Sequence, residues 1–234
     1  HVTTPQKIEA RLAGVRFDGL KYVNPEFLAT LTTIRTGDVV NIDGISADAM
    51  RISALQNIDT VSYRLEGDPA NPTLVWLPVE SSVGPNVVRP SLGVYGSQSS
   101  DFKFLLGAQF VRYWMNDLGA QWRNNVQFGY DSLLSTSWYQ PLDVAQRFFV
   151  EPGLFGNRTI EDVYVDTERV AEYRFSDVGG RIDLGLNAGA DAQLRVGYFN
   201  TRRRADVLTG IQNLPTVDQR IPDLDARDAG LLVN

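Results

Sequence analysis

The feature that most constrains the fold is an alternation of apolar and polar side chains along the second half of the chain. Within 120–130 the even-numbered positions are mostly apolar and the odd-numbered ones mostly polar, and the pattern returns in 181–191 and 193–198. Side chains on a strand point alternately to opposite faces, so each segment predicts a strand with one apolar face. A face of this kind, repeated along several strands, must contact either a protein core or lipid.

Composition excludes several classes of function. The net charge of −6 argues against a nucleic-acid partner, because phosphate binding needs a basic surface. The chain has no cysteine and one histidine, so we expect no disulfide, no metal site and no cofactor. No apolar run approaches the roughly 20 residues of a membrane-spanning helix, so a membrane-inserted chain would have to form a closed β-barrel. Because the chain opens on His1 rather than Met, we expect it to be a piece of a longer precursor.

The first third of the chain mixes helical and strand patterns. Asn24-Pro25-Glu26 supplies the capping residue, the proline and the acid that favour a helix start, and a second helical period begins at Ser46. With strand patterns before and after, the predicted order is strand, helix, helix, strand, strand. Residues 8–81 are therefore expected to form a small α+β domain, and residues 1–7 a disordered terminus.

From residue 82 to 234 only strand patterns remain, and they predict an antiparallel β-barrel. Several strands reach ten residues, close to the 9–11 that a tilted transmembrane strand needs. Short connections such as 116–119 alternate with long ones such as 156–168 and 205–222, as in outer-membrane barrels. A soluble β-sandwich is the alternative home for such strands.

The alternation assigns side chains to two environments. Residues expected to face lipid or to form an aromatic girdle are Trp114, Trp122, Val126, Phe128, Tyr130, Trp138, Tyr173, Leu184 and Tyr198. Residues expected to face a polar lumen are Arg123, Gln127, Glu172, Arg174, Arg181, Asp183 and Arg195. Arg112 falls in register with apolar neighbours and is expected near a membrane interface, because a mid-bilayer arginine costs about 2–4 kcal/mol.

Two groups of short strings carry a family resemblance. Asn24-Pro25-Glu26, Thr36-Gly37-Asp38 and Ile58-Asp59-Thr60-Val61, placed before barrel strands, resemble the POTRA-plus-barrel family of outer-membrane translocators. The strings 138–142, 149–154 and 171–174 resemble one branch of that family, the bacterial patatin-like phospholipases of type V secretion. In that branch an esterase precedes a POTRA domain and a surface-antigen-like barrel in one polypeptide.

The resemblance implies a peptide-binding region in the first domain. The second strand of a POTRA-like sheet, around Val61, Tyr63 and Leu65, would be an exposed edge beside the first helix with Phe27 and Leu31. An extended polypeptide can add to such an edge as a further strand. The alternative is that these side chains form the core of the domain.

No catalytic site is evident. The chain has neither the G-x-S-x-G elbow nor the D-G-[GA] motif of a patatin esterase, and its one histidine is His1. We therefore expect no enzyme on this chain, with any esterase lying upstream. The run Arg202-Arg203-Arg204 could touch lipopolysaccharide phosphates, but a solvated strand end is the favoured interpretation.

The sequence thus predicts an outer-membrane translocator that secretes or displays an N-terminal passenger, with the POTRA-like domain in the periplasm and a truncated barrel. Expected partners are membrane lipid, lipopolysaccharide and an unfolded or fused passenger polypeptide. One alternative is an assembly or two-partner secretion translocator acting on separate clients. Another, of a different class, is a soluble β-rich binding protein.

Overall fold

The computed structural model describes residues 10–97, 100–165, 168–188, 192–210 and 224–233. The terminus expected to be disordered, 1–7, lies outside these ranges. The chain divides into two compact units, one formed mainly by residues before Asn86 and one formed by the strands that follow. Among the described residues, no helix has both the length and the apolar character to span a membrane.

The first unit contains two helices and a three-stranded sheet. Its elements in chain order are β1 (Gly14–Phe17), α1 (Pro25–Leu31), α2 (Ile42–Ser53), β2 (Ile58–Asp68) and β3 (Asn71–Glu80). In the sheet, β3 lies in the centre, parallel to β1 on one side and antiparallel to β2 on the other. The strand, helix, helix, strand, strand order predicted from the sequence is the order observed.

Asparagine side chains fix where both helices begin. The Asn24 side chain accepts a hydrogen bond from the Glu26 amide at 2.8 Å, so α1 begins where predicted. The Asn41 side chain accepts one from the Asp43 amide at 3.1 Å, and α2 therefore begins at Ile42, four residues before the predicted Ser46. These caps satisfy amides that have no partner within the helix.

The core of the first unit is built on Trp76, which is fully buried at the centre of β3. Its ring lies 6.4 Å from Phe17 of β1 and 6.0 Å from Tyr63 of β2, measured between centroids. Leu28 of α1 and Ile45 of α2 are also fully buried. The helices thus cover one face of the sheet, as expected for an α+β domain.

The second unit is an antiparallel meander of eight strands, each paired with its neighbours in sequence. The strands are β4 (Asn86–Ser97), β5 (Ser100–Arg112), β6 (Gln121–Gly129), β7 (Asp131–Pro141), β8 (Phe148–Val165), β9 (Glu168–Ala188), β10 (Ala192–Gly210) and β11 (Leu224–Val233). Among the described residues, no ladder joins β4 to β11.

The long loop predicted for 156–168 is wrong. The described part of this segment continues β8 and begins β9, giving paired strands of 18 and 21 residues. The segment lacks the apolar alternation because side chains such as Asn157 and Arg158 are polar on both faces. A hairpin that extends beyond the apolar part of a sheet therefore has the composition of a loop.

Candidate functional site

Strand register divides the second unit into two faces. Directly opposite residues in a sheet point to the same side, and the row Arg123, Ser137, Gly153, Arg181, Phe199 runs across β6 to β10. All five positions are odd-numbered, and the even-numbered positions of these strands lie on the opposite side. We call the odd-numbered side the charged face and the even-numbered side the apolar face.

A buried carboxylate organises the charged face. Glu151 on β8 is only 2% exposed. Its oxygens accept hydrogen bonds from Arg195 at 2.8 Å, from the Ser137 hydroxyl at 2.8 Å and from Arg123 at 3.3 Å. Arg195 also pairs with Asp183 at 3.6 Å. These five residues form the Glu151 cluster, which joins the five strands β6 to β10 through charges paired away from water.

Aromatic rings lie between the two arginines of this cluster. The Arg123 guanidinium lies 4.6 Å from the Tyr139 ring centroid, and that of Arg195 lies 4.8 Å from Phe149. The Tyr139 and Phe149 centroids are 4.7 Å apart. A β-carbon at Gly185 would come within 2.0 Å of the Phe149 ring, so glycine leaves the space that the ring fills. These rings and guanidinium groups cover the carboxylate and account for its burial.

The apolar face exposes large hydrophobic side chains. Phe128 of β6 and Leu184 of β9 are 61% and 60% exposed. Further exposed side chains on this face are Val88, Leu92, Phe104, Leu106, Trp122, Leu134, Leu154, Ile182, Val196, Tyr198 and Leu231. A contiguous apolar surface of this extent marks contact with a membrane or with another protein.

Most residues that were expected to face the lumen lie together on the charged face, and most that were expected to face lipid lie together on the apolar face. The charged face carries Arg123, Gln127, Arg181, Asp183 and Arg195, and the apolar face carries Trp122, Val126, Phe128, Trp138, Leu184 and Tyr198. Trp114 lies in the connection between β5 and β6. Tyr130 lies between β6 and β7, where its ring centroid is 3.4 Å from the Lys103 ammonium. Arg112, at the end of β5, is exposed.

Three assignments on β9 are wrong. Glu172 and Arg174 were expected to face the lumen, but they lie on the apolar-face side. Tyr173 was expected to face lipid, yet it lies on the charged face and is 9% exposed. The reason is that β9 alternates without interruption from Ala171 to Ala188, so residues 172 and 183 cannot share a side.

Sequence reasoning missed Glu151 itself. Its partners Arg123 and Arg195 are 28 and 44 residues away, so local pattern gives no sign of the cluster. A usable signal was the position of Glu151 between Val150 and Pro152, which the alternation places on the other side. An acid at an odd-numbered position between apolar even-numbered ones indicates a partner across the sheet.

In the first unit, β2 is an edge strand whose outward amides can be assigned. The β3 carbonyls of Pro72 and Trp76 accept amide hydrogen bonds at 2.9 Å from the β1 side. Even-numbered β3 residues therefore point to β1 and odd-numbered ones to β2. Through the observed register, the amides of Val61, Tyr63 and Leu65 then point away from β3, towards the open edge. These are the three β2 residues that the sequence singled out for peptide binding.

The helix beside this edge is α2, not α1 as expected. A groove of about 670 Å³ lies between α2 and β2, lined by Ala49, Met50, Val61 and Tyr63 among others. Met50 is highly exposed. Phe27 of α1 is buried in the core, and Leu31 ends the same helix. Helix α1 instead lines a groove with β1, because the order β1-β3-β2 puts the two edges on opposite sides.

The opposite side of the small sheet is covered by ion pairs. Arg16 donates to Glu66 at 2.7 Å and pairs with Asp18 at 3.2 Å, and Arg64 contacts both acids. The hydrogen bond from Arg16 lowers the pKa of Glu66. The carboxylate therefore stays ionised at neutral pH, and its contribution to stability is lost as the pH falls through this lowered pKa.

Comparison with known proteins establishes the fold. No protein-family model matches the chain, and no curated protein matches it. A solved structure of BamA from Haemophilus ducreyi lacking POTRA domains 1–3 is similar, with 13% identity and a TM-score of 0.67 over 95% of this chain. CdiB from Acinetobacter baumannii is similar over 97%, with 9% identity and a TM-score of 0.50. The chain spans 43% and 42% of those two chains.

Proposed function

We propose that the chain is part of a bacterial outer-membrane translocator. In this proposal the second unit belongs to a transmembrane barrel, and the first is a POTRA-like domain in the periplasm. The observation that carries it is the two-faced sheet, whose exposed apolar face suits lipid and whose buried charges suit a lumen. The fold shared with BamA and CdiB supports the same assignment.

The open sides of the meander fit a larger barrel. Strands β4 and β11 each have one side without a ladder partner among the described residues. Unpaired backbone groups are too costly in a bilayer, so a membrane-embedded sheet must pair these two edges. Eight strands equal the smallest bacterial barrels. We therefore propose that further strands close the barrel between β11 and β4.

The first unit would capture an extended polypeptide at the β2 edge. Outward amides at Val61, Tyr63 and Leu65 supply main-chain hydrogen bonds that require no particular client sequence. The groove beside α2, with exposed Met50, supplies an adaptable apolar contact for client side chains. Recognition of this kind suits unfolded clients of varied sequence.

Tyr63→Pro is expected to abolish crosslinking of a photoreactive unfolded peptide to the first unit. Proline removes the outward amide at position 63 and no hydrogen bond to β3, since that amide points away from β3. Tyr63→Phe keeps the amide and should retain crosslinking. Ser62→Pro removes an amide directed at β3 and should instead unfold the strand. Crosslinking that persists in Tyr63→Pro would remove the edge from the proposal.

The finer proposal is that the passenger is a patatin-like lipase in the same polypeptide. It rests on the three strings of the second unit that resemble the patatin-like branch, 138–142, 149–154 and 171–174. The reading frame of the parent gene tests it. An upstream G-x-S-x-G elbow with a D-G-[GA] partner supports a secreted lipase, and a frame without them refutes that passenger.

The second candidate is a translocator that acts on separate client proteins. It requires no passenger in the same polypeptide, and the fold shared with BamA and CdiB is compatible with it. A parent gene that encodes a signal peptide followed by further units like the first would support this candidate. A soluble β-rich binding protein remains the contrasting class, and it requires a folded monomer without detergent.

A further inference from the structure

The apolar face ends abruptly in a layer of arginines. Across β8 to β11, one row reads Gly156, Val178, Arg202, Arg227 and the next reads Arg158, Ser176, Arg204, Asp225. All four arginines are exposed and lie on the apolar-face side. We call them the arginine layer. Arg203, between two of them in sequence, points to the charged face and binds Asp177 through two hydrogen bonds of 2.8 and 2.9 Å.

The arginine layer has a surplus of positive charge. Arg202 and Arg227 lie directly opposite each other on neighbouring strands, an arrangement that is unfavourable for like charges. Asp225 is the one acid in these two rows, and it is already bound to Arg202 at 2.9 Å. Within the described part of the chain, the guanidinium groups of Arg204 and Arg227 have no hydrogen-bonding partner. An anion between these strands would relieve the repulsion.

A groove on the apolar face begins just below this layer. It has a volume of about 520 Å³, and its lining includes Trp122, Trp138, Leu154, Gly180, Ile182 and Tyr198. Asn200, also in its lining, lies on the same side of β10 as Arg202 and two residues before it. Two residues along a strand span about 7 Å, so the groove and the arginines form one continuous surface.

We infer that this surface binds the lipid A part of lipopolysaccharide, with an acyl chain in the groove and phosphate on the arginine layer. Arginine forks match phosphate oxygens in geometry and charge. A free phosphate would leave the apolar groove unused. Strand β4 begins at Asn86, opposite Arg112 of β5, so the chain that follows the first unit enters the sheet at the strand ends away from the arginine layer. In the proposed function the first unit is periplasmic, which puts the arginine layer at the outer side of the membrane. The ligand is therefore a lipid of the outer leaflet, and the inference rests on the proposed membrane location.

The test is a titration of the refolded full chain, in detergent, with purified lipid A. Native mass spectrometry measures how much lipid is bound at each concentration. The double variant Arg204→Gln/Arg227→Gln should weaken binding at least tenfold, because it removes the two guanidinium groups that have no hydrogen-bonding partner. Gly180→Val should also weaken binding, since its side chain enters the groove while leaving the arginines intact. Arg112→Gln is the matched control, an exposed arginine on the same face at the opposite strand end, and should bind like the unmodified chain.

Removing the phosphates from lipid A should weaken binding as much as removing the two arginines does. Lipid A without phosphates should therefore bind the unmodified chain as weakly as intact lipid A binds the double variant. Equal binding of intact and stripped lipid, or of the double variant and the unmodified chain, would overturn the inference. So would full competition by inorganic phosphate or by phosphatidylglycerol vesicles, which would assign the arginines to a different phosphate source. Insertion of the parent protein into phosphatidylcholine vesicles, measured by protease protection, tests the proposed function separately: a protein that inserts but does not bind lipid A contradicts this inference alone.

Discussion

Replacing Glu151 with alanine is expected to cost the second unit about 3–5 kcal/mol of unfolding free energy, because Arg123 and Arg195 are left without their shared carboxylate. The loss is large since Glu151 is almost completely buried and contacts side chains from three other strands. Urea unfolding of the refolded chain in detergent, followed by tryptophan fluorescence, measures it. The unfolding free energy of Glu151→Gln should lie between those of the unmodified chain and Glu151→Ala, because glutamine keeps the shape of the side chain and can still form hydrogen bonds but has no charge.

Two further variants test whether the loss of stability comes from the Glu151 cluster or from removing any acidic side chain. Glu161→Ala changes an exposed carboxylate on the same strand and face and should shift stability by less than about 0.5 kcal/mol. Arg123→Met should cost less in the Glu151→Ala background than in the unmodified chain, because the two groups interact directly. Additive losses would show that the cluster does not join these strands.

Asp48→Ala is expected to destabilise the first unit by about 3–5 kcal/mol. Asp48 is fully buried on α2 and accepts hydrogen bonds from the amides of Thr33 and Ile34 at 2.8 and 3.1 Å. It also accepts one from the Thr33 hydroxyl at 3.0 Å and pairs with Arg51. Alanine leaves the buried amide of Ile34 and the part-buried amide of Thr33 without their acceptor. Hydrogen exchange of the segment 32–36 should accelerate by more than a hundredfold.

The matched control for Asp48 is Asp43→Ala on the same helix. Asp43 is exposed in the first turn, where its charge favours the helix dipole by about 0.3–1 kcal/mol. Hydrogen exchange of the segment 32–36 should therefore change little in Asp43→Ala. Slow exchange in Asp48→Ala would mean that the segment between α1 and α2 is held by other contacts.

The strands and most of their faces were predictable because alternation is local. In β6 the side of Trp122, Arg123 and Phe128 follows directly from their positions in one uninterrupted strand. The errors arose where the pattern weakened. Glu172 and Arg174 lie beyond the apolar part of β9, where both sides are polar, and polarity no longer distinguishes the two sides.

What could not be predicted depends on contacts between distant parts of the chain. The Glu151 cluster joins five strands, and the sequence shows none of their registers. The placement of α2 beside β2 follows from the sheet order β1-β3-β2, which the helix patterns do not contain. By contrast, the edge position of β2 was expected from the family resemblance, and the structure places the outward amides of that edge at Val61, Tyr63 and Leu65.

The central claim is that the apolar face of the eight-stranded sheet contacts lipid. The chain has no cysteine, so single cysteines at positions 126, 127 and 128 of β6 can each carry a nitroxide spin label. With the labelled parent protein in lipid vesicles, we expect high accessibility to dissolved oxygen at 126 and 128 and low accessibility at 127. Equal accessibility at all three positions, or preferential access of a water-soluble relaxing agent at 126 and 128, would contradict it.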